Sequence, residues 1–285
     1  MAVHKRSYRG YSGELTAAWS RFLIVTRYAF KNVFRSKLLT AFFAICFFYP
    51  VGCAVAIYLN NNLRVLSMLN IRAVLDVNGE FFFVFMNVQL GMAFVLTAFV
   101  GPGLISPDLA NNALPLYLCR PFSRGEYVVG KMAVLITLLS VVTWVPGLAL
   151  FVIQGSLAGL AWARDNLWIA AAIFLGSLIQ IMVLCLLSLA LSAWIKRKLA
   201  AGAALLGVFF FGAGLGQAIN AVMSTKMGNL LNIGELLSSV QVNLFRVSSV
   251  TRVPSDFAWL TLLALCAVCL LLIERKVRAY EVVKG

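Results

Sequence analysis

An all-α, polytopic membrane protein with six transmembrane helices is predicted by three features of the sequence. The 285 residues are 62% hydrophobic and only 12% charged, with a mean hydropathy of +0.92. Soluble domains carry roughly 25% charged residues. Six apolar runs approach or exceed the roughly 20 residues that cross a bilayer, at Leu38–Leu59, Phe81–Ile105, Met132–Gln154, Leu167–Ile195, Leu199–Val222 and Phe257–Ile273. The last is the shortest and draws on its flanks; the fourth is long enough to tilt. With six spans and both termini on one side, eighteen of the 24 Lys and Arg fall on that side, whereas the acidic residues divide evenly. Lys and Arg set orientation, so the basic side is the expected cytoplasmic one.

These assignments divide the chain into an N-terminal segment (1–37), a six-span domain (38–273) and a C-terminal tail (274–285). The first 37 residues lack an apolar core followed by a small-residue cleavage site, so no cleaved signal is expected. Within them, Leu15 to Val33 has the pattern of an amphipathic helix. At about 100° per residue, Leu15, Trp19, Phe22, Thr26, Ala29, Phe30 and Val33 share one face. Arg27, Lys31 and Arg35 follow the opposite side, which Ile24 and Tyr28 interrupt. An interfacial helix with its cations toward anionic headgroups is favoured over a plain extension of the first span.

The connection after the second span is the most patterned polar stretch. Ser106-Pro107-Asp108 combines a capping residue, a proline suited to the first helical position and an acid for the positive end of the helix dipole. A helix start is therefore expected there, limited by Asn111, Asn112 and Pro115. Arg120-Pro121 marks a turn, and Ser123-Arg-Gly-Glu126 begins the approach to the third span. Gly125 to Lys131 matches a phosphate-binding loop up to its last position, where Met132 replaces the magnesium-binding Ser or Thr. No strand precedes it and a membrane span follows, so an ATP site in this chain is not expected.

The connection from the fifth to the sixth span, 223–256, offers Asn232 as an N-cap with Glu235 three residues on. Ile233, Leu236, Leu237, Val240, Leu244 and Val247 recur at helical spacing. An external amphipathic or re-entrant helix is predicted. Gly202, Gly207, Gly212, Gly214 and Gly216 in the fifth span point to close helix–helix approach, since Gly212 to Gly216 lacks nucleotide-loop spacing.

Composition also weighs against several functions. The basic charge is spread over separate loops on one side, which argues against nucleic-acid binding. The spans as drawn hold no ionisable acid or base, which argues against an ion-coupled carrier and less firmly against a channel. The single histidine, His4, lies far from any span, so an intramembrane Ser–His dyad or a His-rich metal site has no basis. Five of the six cysteines (Cys46, Cys53, Cys185, Cys266 and Cys269) fall inside spans and Cys119 in the 106–131 segment, so no structural disulfide is expected. Uncharged polar residues inside the spans, Asn87, Gln89 and Thr97 on the second with Gln217 and Asn220 on the fifth, are candidates for a substrate pathway. Interhelical hydrogen bonding is the simpler role for each.

Asp108, Leu114, Leu118, Arg120, Pro121, Ser123, Arg124, Glu126, Tyr127, Gly130 and Lys131 form a pattern that resembles the permease subunit of type-2 ATP-binding cassette exporters. Asn112 and Pro115 depart from it, standing where a glycine and an acidic residue are common. The resemblance implies that 106–131 is a cytoplasmic coupling segment docking on separate ATPase subunits, which would hold the ATP and magnesium. Asp108, Arg120, Pro121, Arg124, Glu126 and Lys131 would then position the segment, and Leu114, Leu116 and Leu118 would supply apolar contact. It further implies a second permease copy, identical or related, in a prokaryotic cytoplasmic membrane, with an amphipathic or apolar cargo. A membrane platform that uses the ATPase for mechanical or regulatory work is the alternative.

Overall fold

The computed structural model describes residues 20–62, 76–111, 113, 123–248 and 253–276, and among them the chain is helical throughout, with six helical stretches long and apolar enough to cross a membrane. Helix α1 (Arg21–Phe34) precedes the first stretch, which is built from α2 (Lys37–Ile45) and α3 (Phe48–Asn60). The second consists of α4 (Gly79–Val100) and α5 (Pro102–Ala110), and the third of α6 (Arg124–Val142) and α7 (Trp144–Ala158). After the short α8 (Leu160–Asp165) come α9 (Leu167–Trp194) and α10 (Lys198–Met223), which form the fourth and fifth. A 3-10 turn (Met227–Leu231) and α11 (Ile233–Leu244) lead to α12 (Ser255–Lys276), the sixth. This is a multi-pass membrane architecture.

Helix α9 is the centre of the bundle. It is 61% buried over its apolar window, against 17% for α10 and 22% for α12, and it packs on α4, α5, α6, α7, α10 and α12. Its 28 residues span about 42 Å, more than the ~30 Å hydrocarbon core. Leu184, Cys185, Leu189 and Ala193 run along it fully buried, and the apolar core is continuous from there to Leu135 and Leu139 on α6. A second cluster, around Phe82, Phe85, Ile169 and Phe245, closes the end where α9 begins.

Three of the spans contain a short interruption of the helix. The first changes helix at Cys46–Phe47 and the third at Thr143, whose hydroxyl donates to the Leu139 carbonyl (2.7 Å). The second breaks at Gly101–Pro102, and it also runs on to Ala110 rather than stopping at Ile105. The third begins at Arg124, eight residues before Met132. The expected helix start at Ser106-Pro107-Asp108 is incorrect. Gly101 is the N-cap and Pro102 occupies the first helical position, while Pro107 lies inside the helix and Asn111 caps its end. The capping logic of Ser-Pro-Asp holds only where the chain enters a helix, and here it is already inside one.

The chain leaving α10 folds back along it. Asn220 binds this return on both sides, donating to Asn229 Oδ1 and accepting from the Gly228 N–H, each at 2.8 Å. A Cβ on Gly212 would stand 2.6 Å from the Leu231 carbonyl oxygen, so the return reaches the middle of the span. From there α11 starts with Asn232 accepting from the Glu235 N–H, as expected. Ile233, Leu236, Leu237 and Val240 are buried, and Gln241 Nε2 donates to Gln180 Oε1 of α9 at 3.4 Å. Helix α11 thus packs among the spanning helices α4, α9, α10 and α12. The glycines of α10 divide by role: Gly202, Gly212 and Gly216 face backbone carbonyls within Cβ reach, whereas Gly207 and Gly214 face open space.

Candidate functional site

The 106–131 segment is the most patterned polar connection between two spans, and the structure describes both of its ends. Leu114, Leu116, Leu118, Arg120 and Pro121 lie outside the described residues. At the near end, α5 carries Asp108 on its last turn. At the far end, Ser123 caps α6 in a capping box: its hydroxyl accepts from the Glu126 N–H (3.2 Å), and Glu126 Oε2 accepts from the Ser123 N–H (2.6 Å). Glu126 therefore serves the helix start, where its charge also suits the dipole.

One turn further along α6, Tyr127 and Lys131 meet Asp108. Lys131 Nζ lies 2.7 Å from Asp108 Oδ2, with side chains 8% and 18% exposed. The fully buried Tyr127 donates its hydroxyl to the same oxygen at 2.7 Å, and the ammonium sits 5.5 Å from the centre of its ring. One carboxylate oxygen thus receives two charge-assisted bonds, and the cation gains a ring face besides. The four-residue spacing of Tyr127 and Lys131 puts both on one helix face, which makes this convergence possible.

Helix α1 joins the same place from the other side. Thr26 Oγ1 donates to the Gly130 carbonyl at 2.9 Å, across 104 residues of sequence. Thr26 and Ala29 are buried against α6, while Arg27, Lys31 and Arg35 are exposed on the outer side. Leu15 and Trp19 lie outside the described residues.

Helix α5 is held by α9 through an inserted hydroxyl. Ser192 Oγ accepts from the backbone N–H groups of Ile105 (3.2 Å) and Ser106 (2.9 Å) and lies 3.2 Å from the Pro102 carbonyl, to which it can donate. Ser106 Oγ donates to the Ser192 carbonyl at 3.0 Å. Pro102, which has no N–H to give, interrupts the ladder after Gly101, and Ser192 braces the turn that follows. We predict that Ser192→Ala, which removes a buried hydroxyl bonded to four groups of α5, lowers stability by about 1–3 kcal/mol. A clear fall in the unfolding midpoint in detergent is the expected result; an unchanged midpoint would show that the ladder closes on itself.

The proposed pathway residues do not gather into one place. Thr97 Oγ1 donates to the Ala93 carbonyl (2.7 Å) and Asn87 Nδ2 to the Phe83 carbonyl (3.0 Å), both within their own helix. Asn220 is engaged by the return arm, and Gln217 is exposed. Gln89 is fully buried and reaches the Cys46 carbonyl only at 3.5 Å, with its own Oε1 unpaired. The near-match to a phosphate loop, Gly125 to Lys131, is helical from end to end, and its lysine is turned onto Asp108.

Three contributors were not singled out from sequence: Thr26 as a donor, Ser192 as a brace on α5, and the Ser123–Glu126 capping box. The box was legible as Ser-x-x-Glu before an apolar run; the other two act across more than 80 residues. The chain matches no protein-family model and no curated protein.

Proposed function

We propose that this chain is the permease subunit of an ATP-driven exporter of the type-2 ATP-binding cassette class, moved through residues 106–131 by separate ATPase subunits that hold the ATP and magnesium. The observation that carries this reading is the Asp108–Tyr127–Lys131 clamp. It closes the base of the polar segment and ties the second span to the third, and Thr26 adds α1. A force on the segment would therefore pass into three helices at once, and through Ser192 into the central α9. A loop that only connected two spans would need no buried ion pair at its root.

On this reading the base of the bundle and both termini face the cytoplasm of a prokaryotic inner membrane. Arg27, Lys31 and Arg35 rest against anionic headgroups, and a second permease copy completes the pathway. Asp108 and Lys131 act as internal struts rather than as contacts for the ATPase. Exposed Arg124 and the undescribed Leu114, Leu116, Leu118, Arg120 and Pro121 supply the docking surface.

Arg124→Glu tests this. Arg124 is at the first position of α6, where an acid suits the dipole better than a cation, so reversal does not weaken the helix. Loss of a complementary charge across the docking surface should reduce ATP hydrolysis coupled to this chain by about tenfold, roughly 1.4 kcal/mol, while membrane insertion is unchanged. Unaltered coupled hydrolysis would remove Arg124 from the docking surface.

A further inference from the structure

The turn between α9 and α10 gathers positive charge where helix electrostatics would disfavour it. Only Ile195, Lys196 and Arg197 separate the two helices, and Lys198 opens α10. Arg197 is the N-cap, forms no side-chain cap, and no acid follows in the first turn of this 26-residue helix. Helix starts ordinarily carry Ser, Thr, Asp or Asn at the cap and acids in the first turn, because the dipole is positive there. Here three exposed cations stand at that end instead.

A fourth cation is drawn in from α12. Trp194, the last residue of α9 and 50% exposed, donates its indole N–H to the Leu272 carbonyl at 3.2 Å. Lys276 Nζ then lies 5.2 Å from the centre of the Trp194 ring. Neighbouring Glu274 and Arg275 offset each other in charge, and among the described residues none of the four cations is in an ion pair. Lys198 leans toward α5: a Cβ on Gly103 would lie 3.3 Å from its Cε. Directly beyond the cations, Leu199 is 89% exposed and begins the least buried of the six spans.

We propose that this surface binds the headgroup of an anionic phospholipid, with the phosphate among Lys196, Arg197, Lys198 and Lys276 and the acyl chains along α10 beyond Leu199. A group of exposed cations at the end of an outward apolar wall matches the two-part shape of such a lipid. An exposed tryptophan between them suits the depth at which headgroup meets chain. A cytoplasmic protein partner would match the charge but not the adjoining apolar wall. The site is independent of how the chain is driven, and it is separate from the cations of α1.

The test uses the full chain in mild detergent mixed with phosphatidylglycerol and phosphatidylcholine, and counts retained lipids by native mass spectrometry. The wild type should retain phosphatidylglycerol preferentially, with affinity falling about fivefold for each of these cations neutralised. Because Lys196→Gln, Arg197→Gln and Lys198→Gln together also remove orienting charge, Trp194→Leu with Lys276→Gln provides a second variant that leaves the turn intact; it should lose at least about fivefold. Equal retention of the two lipids by the wild type would overturn the proposal, as would undiminished phosphatidylglycerol retention by the second variant. Displacement of the lipid by millimolar inorganic phosphate would also overturn it, because a free phosphate would then be the ligand.

Discussion

Asp108→Ala is expected to cost about 3–5 kcal/mol of stability, the range for removing one partner of a buried ion pair. The substitution leaves the Lys131 ammonium, 8% exposed, without a carboxylate, and it strips the buried Tyr127 hydroxyl of its acceptor. Lys131→Met should cost less, because Asp108 is 18% exposed and keeps the Tyr127 bond. Asp108→Leu combined with Lys131→Met should recover most of the loss, since an apolar pair of similar volume often replaces a buried ion pair without penalty. Unfolding midpoints in detergent check all three. If Asp108→Ala is as stable as the wild type, the pair is not a clamp. If the double variant is worse than either single one, its role is not the one the distances imply.

The second large effect is expected at Gly216. A Cβ there would collide with the carbonyl of Gly228 in the return arm, backbone against backbone, and no flexible side chain can yield. Gly216→Val should therefore displace the return arm, break the Asn220 bonds to Asn229 and Gly228, and unseat α11 from the bundle. A loss of several kcal/mol is expected, at the upper end of single-substitution effects. Gly214→Ala, two residues away, faces open space and should be neutral or slightly stabilising, as alanine is the better helix former. Comparable yields of folded protein from the two variants would mean that the return arm is not packed on α10 as described.

Much of the architecture was legible in the sequence because apolar length is a strong signal. The fourth and fifth spans were placed within one residue at each end, Leu167–Trp194 and Lys198–Met223. The sixth gained flanking residues, Ser255 and Lys276, as its short apolar core required. Asn232 and Glu235 announced α11 through local capping chemistry, and that helix covers the predicted repeat from Ile233 to Leu244, with Val247 beyond its end. The breaks within spans were not legible. Gly101–Pro102 carries a local signal, but nothing nearby shows that Ser192 braces the turn after it or that the helix runs on through Ser106 and Pro107.

The site was legible in composition and not in role. Asp108 and Lys131 stood out as charges next to spans, which made them candidates for contact with another protein. They are 23 positions apart, and only the return of the third span along the second, α6 against α4, brings them to 2.7 Å. Tyr127 bonds the same carboxylate oxygen at the same 2.7 Å as Lys131, yet a tyrosine in a span's first turn gives no sign of its partner. Thr26 sat on the apolar face of its helix, where its hydroxyl found the Gly130 carbonyl. Pairwise contacts between distant elements leave no periodic trace, unlike burial and capping.

The central proposal, that residues 106–131 receive a separate ATPase, is tested most directly by site-specific photo-cross-linking. A photoreactive amino acid at position 118, introduced into the full chain in native membranes, reports what lies against the segment, and mass spectrometry identifies the product. A cross-link to a polypeptide carrying an intact G-x-x-x-x-G-K-[ST] phosphate loop is expected, lost in the Arg124→Glu variant. Cross-links only to lipid, or only to this chain itself, would contradict it.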